Sequence, residues 1–231
     1  MSAISAKILI TGTVQLLVFC LVLILVLFIT AGTLSWFYVW IFLILIYSFG
    51  IVLFMWELRH NPRLVEERTG FKSNQPTWDK AFTILGLIFF VGIWWISMPL
   101  DAIRFHWSQM PMWLHLVGVI VFLSSFYLTY LTYRENSYLS GVVRIQEDRG
   151  QTVISTGPYR YVRNALYTCA LLFFLGSAFL LGRGSECSWG PSLRACLRGG
   201  RCGRNTWLQK DLKGYDAYMA QVRWRLISHV W

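Results

Sequence analysis

The residues best suited to chemistry lie in one polar stretch, 134–167, which separates two apolar runs. Gly157-Pro158 marks a turn, and Tyr and Arg side chains then crowd the short segment that leads into the next apolar run. A polar segment joined to an apolar helix suits a site where a water-soluble cofactor meets a lipid substrate. The same segment also suits a plain basic anchor with Tyr at headgroup level, and charge and aromatics alone favour that anchor.

The run 157–167 reads GPYRYVRNALY. It resembles the G-x-Y-x-x-x-R-H-P-x-Y signature of the isoprenylcysteine carboxyl methyltransferase family, which phospholipid N-methyltransferases share. The similarity extends upstream through Asn136 and 143–146. It returns at 207–227, where a G-x-x-Y-x-x-Y-x-x-x-V-x-x-R tail is matched by Tyr215, Tyr218, Arg223 and Arg225. The resemblance covers the C-terminal region with a gap, and it joins an unusual motif to a chain with several apolar runs.

The resemblance implies S-adenosylmethionine (SAM) bound at the cytoplasmic face, with a passage from the bilayer for a lipid-linked substrate. The acceptor would be the carboxyl of a prenylcysteine-like group or a lipid head group. Arg163, the motif arginine, and Tyr167 are the expected catalytic residues, and no metal is implied. The family's SAM contacts transfer to Gln151, Thr152, Val153, Ile154, Tyr159, Asn164, Ala165, Leu166 and Tyr167.

The implied chemistry needs little from the protein beyond placement. Methyl transfer from a sulfonium is an in-line displacement, and a carboxylate acceptor is already ionised, so no strong general base is required. Orientation of the reactants and exclusion of water would do most of the work. Arg suits a carboxylate through its fork of donors, and the rings of Tyr159 and Tyr167 could contact the adenine or the sulfonium.

Two departures from the family pattern predict weak or absent methyl transfer. The family's R-H-P reads Arg163-Asn164-Ala165, which lacks a titratable ring and the proline that begins the next helix well. The family also has an acidic pair before its C-terminal tail. Gly-Arg-Asn-Thr stands at the corresponding positions, 203–206.

The elements that position this motif must be membrane helices. The chain has 231 residues, of which 56% are hydrophobic and 14% charged, whereas soluble domains carry about 25% charge. This composition excludes an ordinary soluble fold and also disorder. The net charge of +10 then indicates basic cytoplasmic loops and a membrane surface as partner, with no nucleic acid.

Charge-free runs predict an all-α, multi-span integral membrane bundle with about five membrane helical segments. A four-span region, 1–133, precedes the methyltransferase-like region, 134–231. Trp94 and Trp95 lie deep in the third segment and are expected to pack between helices. The five segments are 8–29, 34–56, 81–100, 105–133 and 164–182.

Lys and Arg predict the orientation of the chain. Five lie in each of the loops 57–80 and 134–163, the loops between the other apolar runs carry almost none, and nine follow Leu181, where they require either a return of 164–182 or one more crossing. The N-terminus, both basic loops and the cofactor site should therefore face the cytoplasm.

The segment 183–206 is unlike the rest of the chain. It is rich in Arg, Gly, Ser and Cys, and its C-x8-C-x5-C spacing does not match zinc-site patterns. It is expected to be irregular, either as a basic loop or as an out-of-frame stretch between two in-frame halves.

Two other functions stay open from the sequence. A sterol-reductase-type membrane enzyme carries a related Arg-His-x-x-Tyr pattern and binds NADPH. A non-catalytic membrane protein could retain the scaffold. A transporter is disfavoured, because the apolar runs contain almost no ionisable residues.

Overall fold

The computed structural model describes residues 6–69, 84–86, 88–139, 152–182 and 214–225, and this part of the chain is helical without a β-strand. The predicted all-α class is therefore confirmed for the described residues. Two predictions lie outside this set, namely the role of Gln151 and the irregularity of 183–206.

The first two helices form an antiparallel hairpin. Helix α1 spans Ala6–Ala31 and helix α2 spans Phe37–His60. Gly32 ends α1 with a left-handed φ of +70°, and its N–H donates to the Phe28 carbonyl at 2.9 Å. Glycine adopts this conformation without the steric cost that a Cβ would bring. The predicted turn between two apolar runs is thus present.

Part of the predicted loop 57–80 is helical. Helix α2 continues to His60, and after Asn61 a short helix α3 spans Pro62–Thr69. Proline suits the first helical position because its missing N–H would have no partner there. Helix α3 places Leu64 and Val65 in the interior, and both side chains are almost fully buried. The apolar side chains of this mostly polar helix therefore pack against the end of the helical bundle.

The third helical run extends past the predicted end at residue 100. Helix α4, Trp95–Pro99, is flanked by two π-helical stretches, Ile88–Trp94 and Leu100–Arg104. Wide π turns occur where a regular helix is disturbed, and Pro99 cannot donate a helical hydrogen bond. Asp101 lies inside this run and is only 1% exposed. Asp101, which marked the predicted end of the span, is therefore buried within the third helical run.

Among the described elements, helices α5, Met112–Glu135, and α6, Ala165–Leu181, have the most extensive contact. A Cβ built on Gly118 would lie 2.4 Å from the Leu180 amide nitrogen, and one on Gly176 would lie 2.6 Å from that of Phe122. Two glycines thus let the backbones touch, as small residues do between membrane helices. Helix α5 begins at 112 instead of 105, because residues 105–111 form a loop that ends at Pro111.

Aromatic rings fill the space between the helices. Phe42 and Phe122 are fully buried and lie 5.2 Å apart by ring centroids. Trp94 and Trp95 are 2% and 5% exposed and make edge contacts with Phe174 and Phe173. Their predicted packing between helices is confirmed.

The outer faces of the bundle are apolar. Exposed side chains include Leu17 and Ile44 on the first hairpin and Ile120 on α5. Three helical segments, Ile8–Ala31, Phe37–His60 and Met112–Glu135, are long and apolar enough to cross a membrane, and the apolar helix Ala165–Leu181 is shorter. These features are compatible with an integral membrane protein, since lipid requires apolar helix surfaces.

Candidate functional site

The motif turn rests on the end of α5. Residues Gly157–Arg160 form one turn of 3-10 helix, and Gly157 has a φ of +57°. A Cβ on Gly157 would lie 2.4 Å from Cγ of Glu135, so this position requires glycine for both conformation and space. The Thr156 hydroxyl donates to Oε2 of Glu135 at 2.8 Å. The start of the motif is therefore locked against the last turn of α5.

Tyr159 lies at the centre of a hydrogen-bonded group. Nδ2 of Asn136 donates to the Tyr159 hydroxyl at 3.0 Å, while Oδ1 of Asn136 accepts the Tyr138 N–H at 3.0 Å. The Tyr218 hydroxyl donates to the Tyr159 carbonyl at 2.7 Å. Tyr159 itself is 8% exposed. The ring of Tyr159 is therefore held by Asn136, which precedes it in the chain, and its backbone by Tyr218, which follows it.

The C-terminal segment lies against the beginning of α6. The N–H of Arg163 donates to the Trp224 carbonyl at 3.0 Å, and the N–H of Asn164 donates to the Arg225 carbonyl at 3.2 Å. Nδ2 of Asn164 also reaches the Arg225 carbonyl at 3.4 Å. These backbone groups would lack helical partners at the N-terminus of α6, so pairing satisfies them. A short helix α7, Tyr215–Gln221, precedes this pairing and faces the motif.

A small cleft with a volume of about 70 Å³ opens between these parts. The cleft brings together nearly all of the residues that the sequence nominated, and Asn136, Tyr215 and Tyr218 join them. The nominated residues that line it are Thr152, Val153, Ile154, Tyr159, Arg163, Asn164, Ala165, Leu166 and Tyr167.

Arg163 dominates the electrostatics of the cleft. Among the described residues that line it, Arg163 is the only one with a charged side chain. Its Nε is buried and, within the described part of the chain, has no hydrogen-bond partner. A buried donor left unpaired is costly, so a ligand acceptor at this position would relieve that cost.

Tyr218 stays neutral in this environment. Burial, followed by the neighbouring Tyr215 and Tyr159 hydroxyls, raises the pKa of Tyr218 above its ordinary value, and the Arg163 guanidinium only partly opposes this. A neutral hydroxyl can keep donating to the Tyr159 carbonyl. The Tyr218 hydroxyl, which joins α7 to the motif, therefore keeps its proton at physiological pH.

Two lining residues were missed from the sequence. Tyr138 and Leu139 follow α5 directly and line the same cleft. Both could have been predicted, because they closely follow Asn136, which already belongs to the region of family resemblance. Gln151, the remaining nominated residue, lies outside the described part of the chain.

No protein-family model matches the chain, and no curated protein matches its sequence. The similarity of 157–167 to the methyltransferase signature accordingly stays a prediction.

Proposed function

We propose that the chain is a SAM-dependent membrane methyltransferase that acts on a lipid-linked substrate and transfers the methyl group slowly. The observation that supports this most is the unpaired, buried Nε of Arg163 in a cleft lined by tyrosines. The acceptor is the carboxyl of a prenylcysteine-like group or a lipid head group.

The cleft fits the charge distribution of SAM. Arg163 would hold the carboxylate of the methionine moiety through its fork of donors. The faces of Tyr159 and Tyr167 would lie against the adenine or the positive sulfonium, which aromatic faces attract. Their hydroxyl groups and the neighbouring backbone carbonyls supply acceptors for the ammonium group. The described lining residues include no carboxylate, so the positive groups depend on rings and carbonyls.

The residues of the cleft promote the reaction by positioning the reactants. SAM supplies the activated methyl group when it is bound. Arg163 and the tyrosines orient it, and the buried cluster of Leu139, Val162 and Ala165 keeps water away from one side. The cleft adjoins the first turn of α6, so a lipid-linked acceptor can approach from the bilayer boundary.

Slow transfer follows from the position of Asn164. Its side chain is 7% exposed and its Nδ2 donates to the Arg225 carbonyl. Asn164 cannot titrate, and its amide is already engaged with the C-terminal segment. The position that carries histidine in the family thus contributes a structural hydrogen bond here.

The membrane arrangement is part of the same proposal. Five helical segments cross or enter the bilayer, and the N-terminus, the loops 57–80 and 134–163 and the cleft face the cytoplasm, where SAM is available. The supporting observation is the concentration of Lys and Arg in those loops.

The charge of the lining disfavours NADPH as the alternative cofactor. NADPH carries several negative charges, and one Arg among the described lining residues provides little to balance them. A non-catalytic scaffold would bind neither molecule.

Equilibrium binding of radiolabelled SAM to the purified full chain in lipid nanodiscs tests the proposal. Arg163→Ala should weaken SAM binding at least about tenfold, since charge-assisted hydrogen bonds contribute about 1.5–3 kcal/mol. Tyr159→Ala should also weaken SAM binding, because it removes an aromatic face from the adenine or the sulfonium. Tyr161→Ala and Arg160→Ala are matched controls, because both side chains are exposed and neither lines the cleft. These controls should bind SAM like the original chain.

Three outcomes would overturn the proposal. They are the absence of SAM binding by the full chain, binding of NADPH in place of SAM, and equally tight SAM binding by all four variants. Rapid turnover of a lipid-linked acceptor would contradict only the slow transfer.

A further inference from the structure

A second cavity lies at the opposite end of the bundle from the motif cleft. Its wall includes His115 in the first turns of α5, whereas Asn136 of the motif cleft follows the last turn. At 1.5 Å per residue these two positions are about 30 Å apart along the helix. The cavity has a volume of about 450 Å³ and is partly open to solvent. The proposed methyltransferase site does not use it.

His115 is fixed in this cavity by two contacts. Its ring stacks on Tyr38 with centroids 3.8 Å apart and an interplanar angle of 5°. Its Nδ1 lies 2.9 Å from the carbonyl of Leu180, in the last turn of α6. A carbonyl only accepts, so Nδ1 carries the hydrogen, and the carbonyl of a terminal helical turn is free to accept it. In the neutral ring, Nε2 is therefore an acceptor.

Glycine keeps the acceptor edge of His115 open. A Cβ on Gly182 would lie 3.1 Å from Cε1 of His115 and 3.9 Å from its Nε2. Gly182 adopts a left-handed φ of +87° as it ends α6. The helix therefore ends without placing a side chain over Nε2, which leaves this edge to the cavity.

The loop after α4 forms the facing wall and is held by a buried carboxylate. The Ser108 hydroxyl donates to Oδ2 of Asp101 at 3.0 Å, and the Trp107 N–H donates to the Asp101 carbonyl at 3.1 Å. His106, just before them, has a φ of +50°, which is rare for a non-glycine residue and strains the backbone. Asp101 thus maintains a strained loop that lines the cavity with His106 and Gln109.

The lining of the cavity is mostly apolar, with a few polar side chains. Among the described residues that line it, none is Asp, Glu, Lys or Arg. A phosphate there would find no Lys or Arg among the described lining residues, whereas a hydroxyl finds an acceptor in His115. Ile103 and Leu181 supply apolar walls, and Phe37, which also lines the cavity, is 68% exposed. The lining therefore matches a molecule with a neutral hydroxyl head and an apolar body.

We infer that this cavity binds the hydroxyl headgroup of an uncharged lipid of the diacylglycerol class. The lipid hydroxyl donates to Nε2 of His115, and the acyl chains leave over Phe37 into the bilayer. This site is separate from the proposed SAM cleft, and its occupancy does not depend on methyl transfer.

Photocrosslinking of the full chain in nanodiscs tests the inference. The probe is a diacylglycerol with a photoreactive group near its head, and the labelled peptides are mapped by mass spectrometry. Label should fall in 34–38 or 102–110, and unlabelled diacylglycerol should compete for it. Phosphatidic acid with identical chains should compete at least about five-fold less well, because the described lining offers its phosphate no Lys or Arg.

Two variants separate binding from folding. His115→Phe keeps a ring against Tyr38 but removes the acceptor, and it should lower labelling about five-fold, the effect of one net hydrogen bond. Its control is His60→Phe at the other end of the bundle, where the ring is exposed and stacks on Trp56. Ser35→Trp should fill the cavity and lower labelling without touching His115. Its control is Ser124→Trp on the exposed face of α5.

Labelling that both His115→Phe and Ser35→Trp leave intact would overturn the inference. Equal competition by phosphatidic acid, or label confined to other segments, would overturn it as well. If His115→Phe fails to fold, Ser35→Trp and the comparison of the two lipids decide the result. SAM binding measured on the same samples reports separately on the motif cleft.

Discussion

The hydroxyl of Tyr218 donates to the main-chain carbonyl of Tyr159 at 2.7 Å, across 59 positions of sequence. This bond joins the C-terminal helix α7 to the motif turn, and Tyr218 is 5% exposed. One wall of the cleft therefore depends on a contact between residues that are distant in the chain. Loss of this contact should affect the cleft before it affects the membrane helices.

Tyr218→Phe tests this relationship. The substitution leaves the Tyr159 carbonyl buried without its donor, which should lower the free energy of unfolding by about 1–2 kcal/mol. Thermal unfolding of the purified chain measures the change. Tyr161→Phe is the control because Tyr161 is 60% exposed, and it should remain within about 0.5 kcal/mol. An equal loss in both variants would contradict the assigned role of Tyr218.

The contribution of Tyr218 should depend on pH only at the alkaline end. The pKa of Tyr218 is raised by burial in the folded chain, while an unfolded tyrosine titrates near about 10. A raised pKa means that the stabilisation is fully present below the unfolded pKa and is lost as the pH rises through the folded value. The stability difference between the original chain and Tyr218→Phe should therefore be constant from pH 7 to 9 and decline above pH 10. A steady decline already between pH 7 and 9 would contradict this.

The contact between α5 and α6 should not tolerate a methyl group at Gly118. A Cβ there would lie 2.4 Å from the Leu180 nitrogen, which is backbone and cannot turn aside. Gly118→Ala should lower stability by about 1–3 kcal/mol through overpacking, despite the better helix propensity of alanine.

Gly50→Ala is the matched control for Gly118→Ala. Gly50 also lies inside an apolar helix, but its Cβ would meet only the end of the Leu16 side chain at 3.4 Å. Its stability in the same thermal assay should be unchanged or slightly higher. Similar destabilisation at both positions would indicate that the close approach of α5 and α6 is not what Gly118 provides.

The proposed orientation is tested by cysteine accessibility. Gly70→Cys and Ser108→Cys are introduced separately into a variant whose five native cysteines are replaced by serine. A membrane-impermeant maleimide applied to intact cells should label position 108 only, because the basic loop 57–80 is expected in the cytoplasm. Labelling of position 70 from the outside would show that the orientation is the reverse of the one proposed.

The sequence alone determined the helical, membrane-compatible character of the chain, because apolar composition and charge-free runs act locally along the chain. It also nominated the residues from Thr152 to Tyr167 that line the motif cleft, through a contiguous motif. The turn at Gly32 and the interior packing of Trp94 and Trp95 could likewise be predicted from the sequence, since each depends on a short stretch of residues.

Only the tertiary structure decided how distant segments meet. Asp101 ended a predicted span in the sequence, yet it is buried inside the third helical run because it holds the following loop. The stacking of His115 on Tyr38 and the bond from Tyr218 to Tyr159 join residues far apart in the chain. Such contacts depend on how helices cross and how their terminal carbonyls are satisfied, and neither the hydrophobic pattern nor the charge pattern encodes these directly.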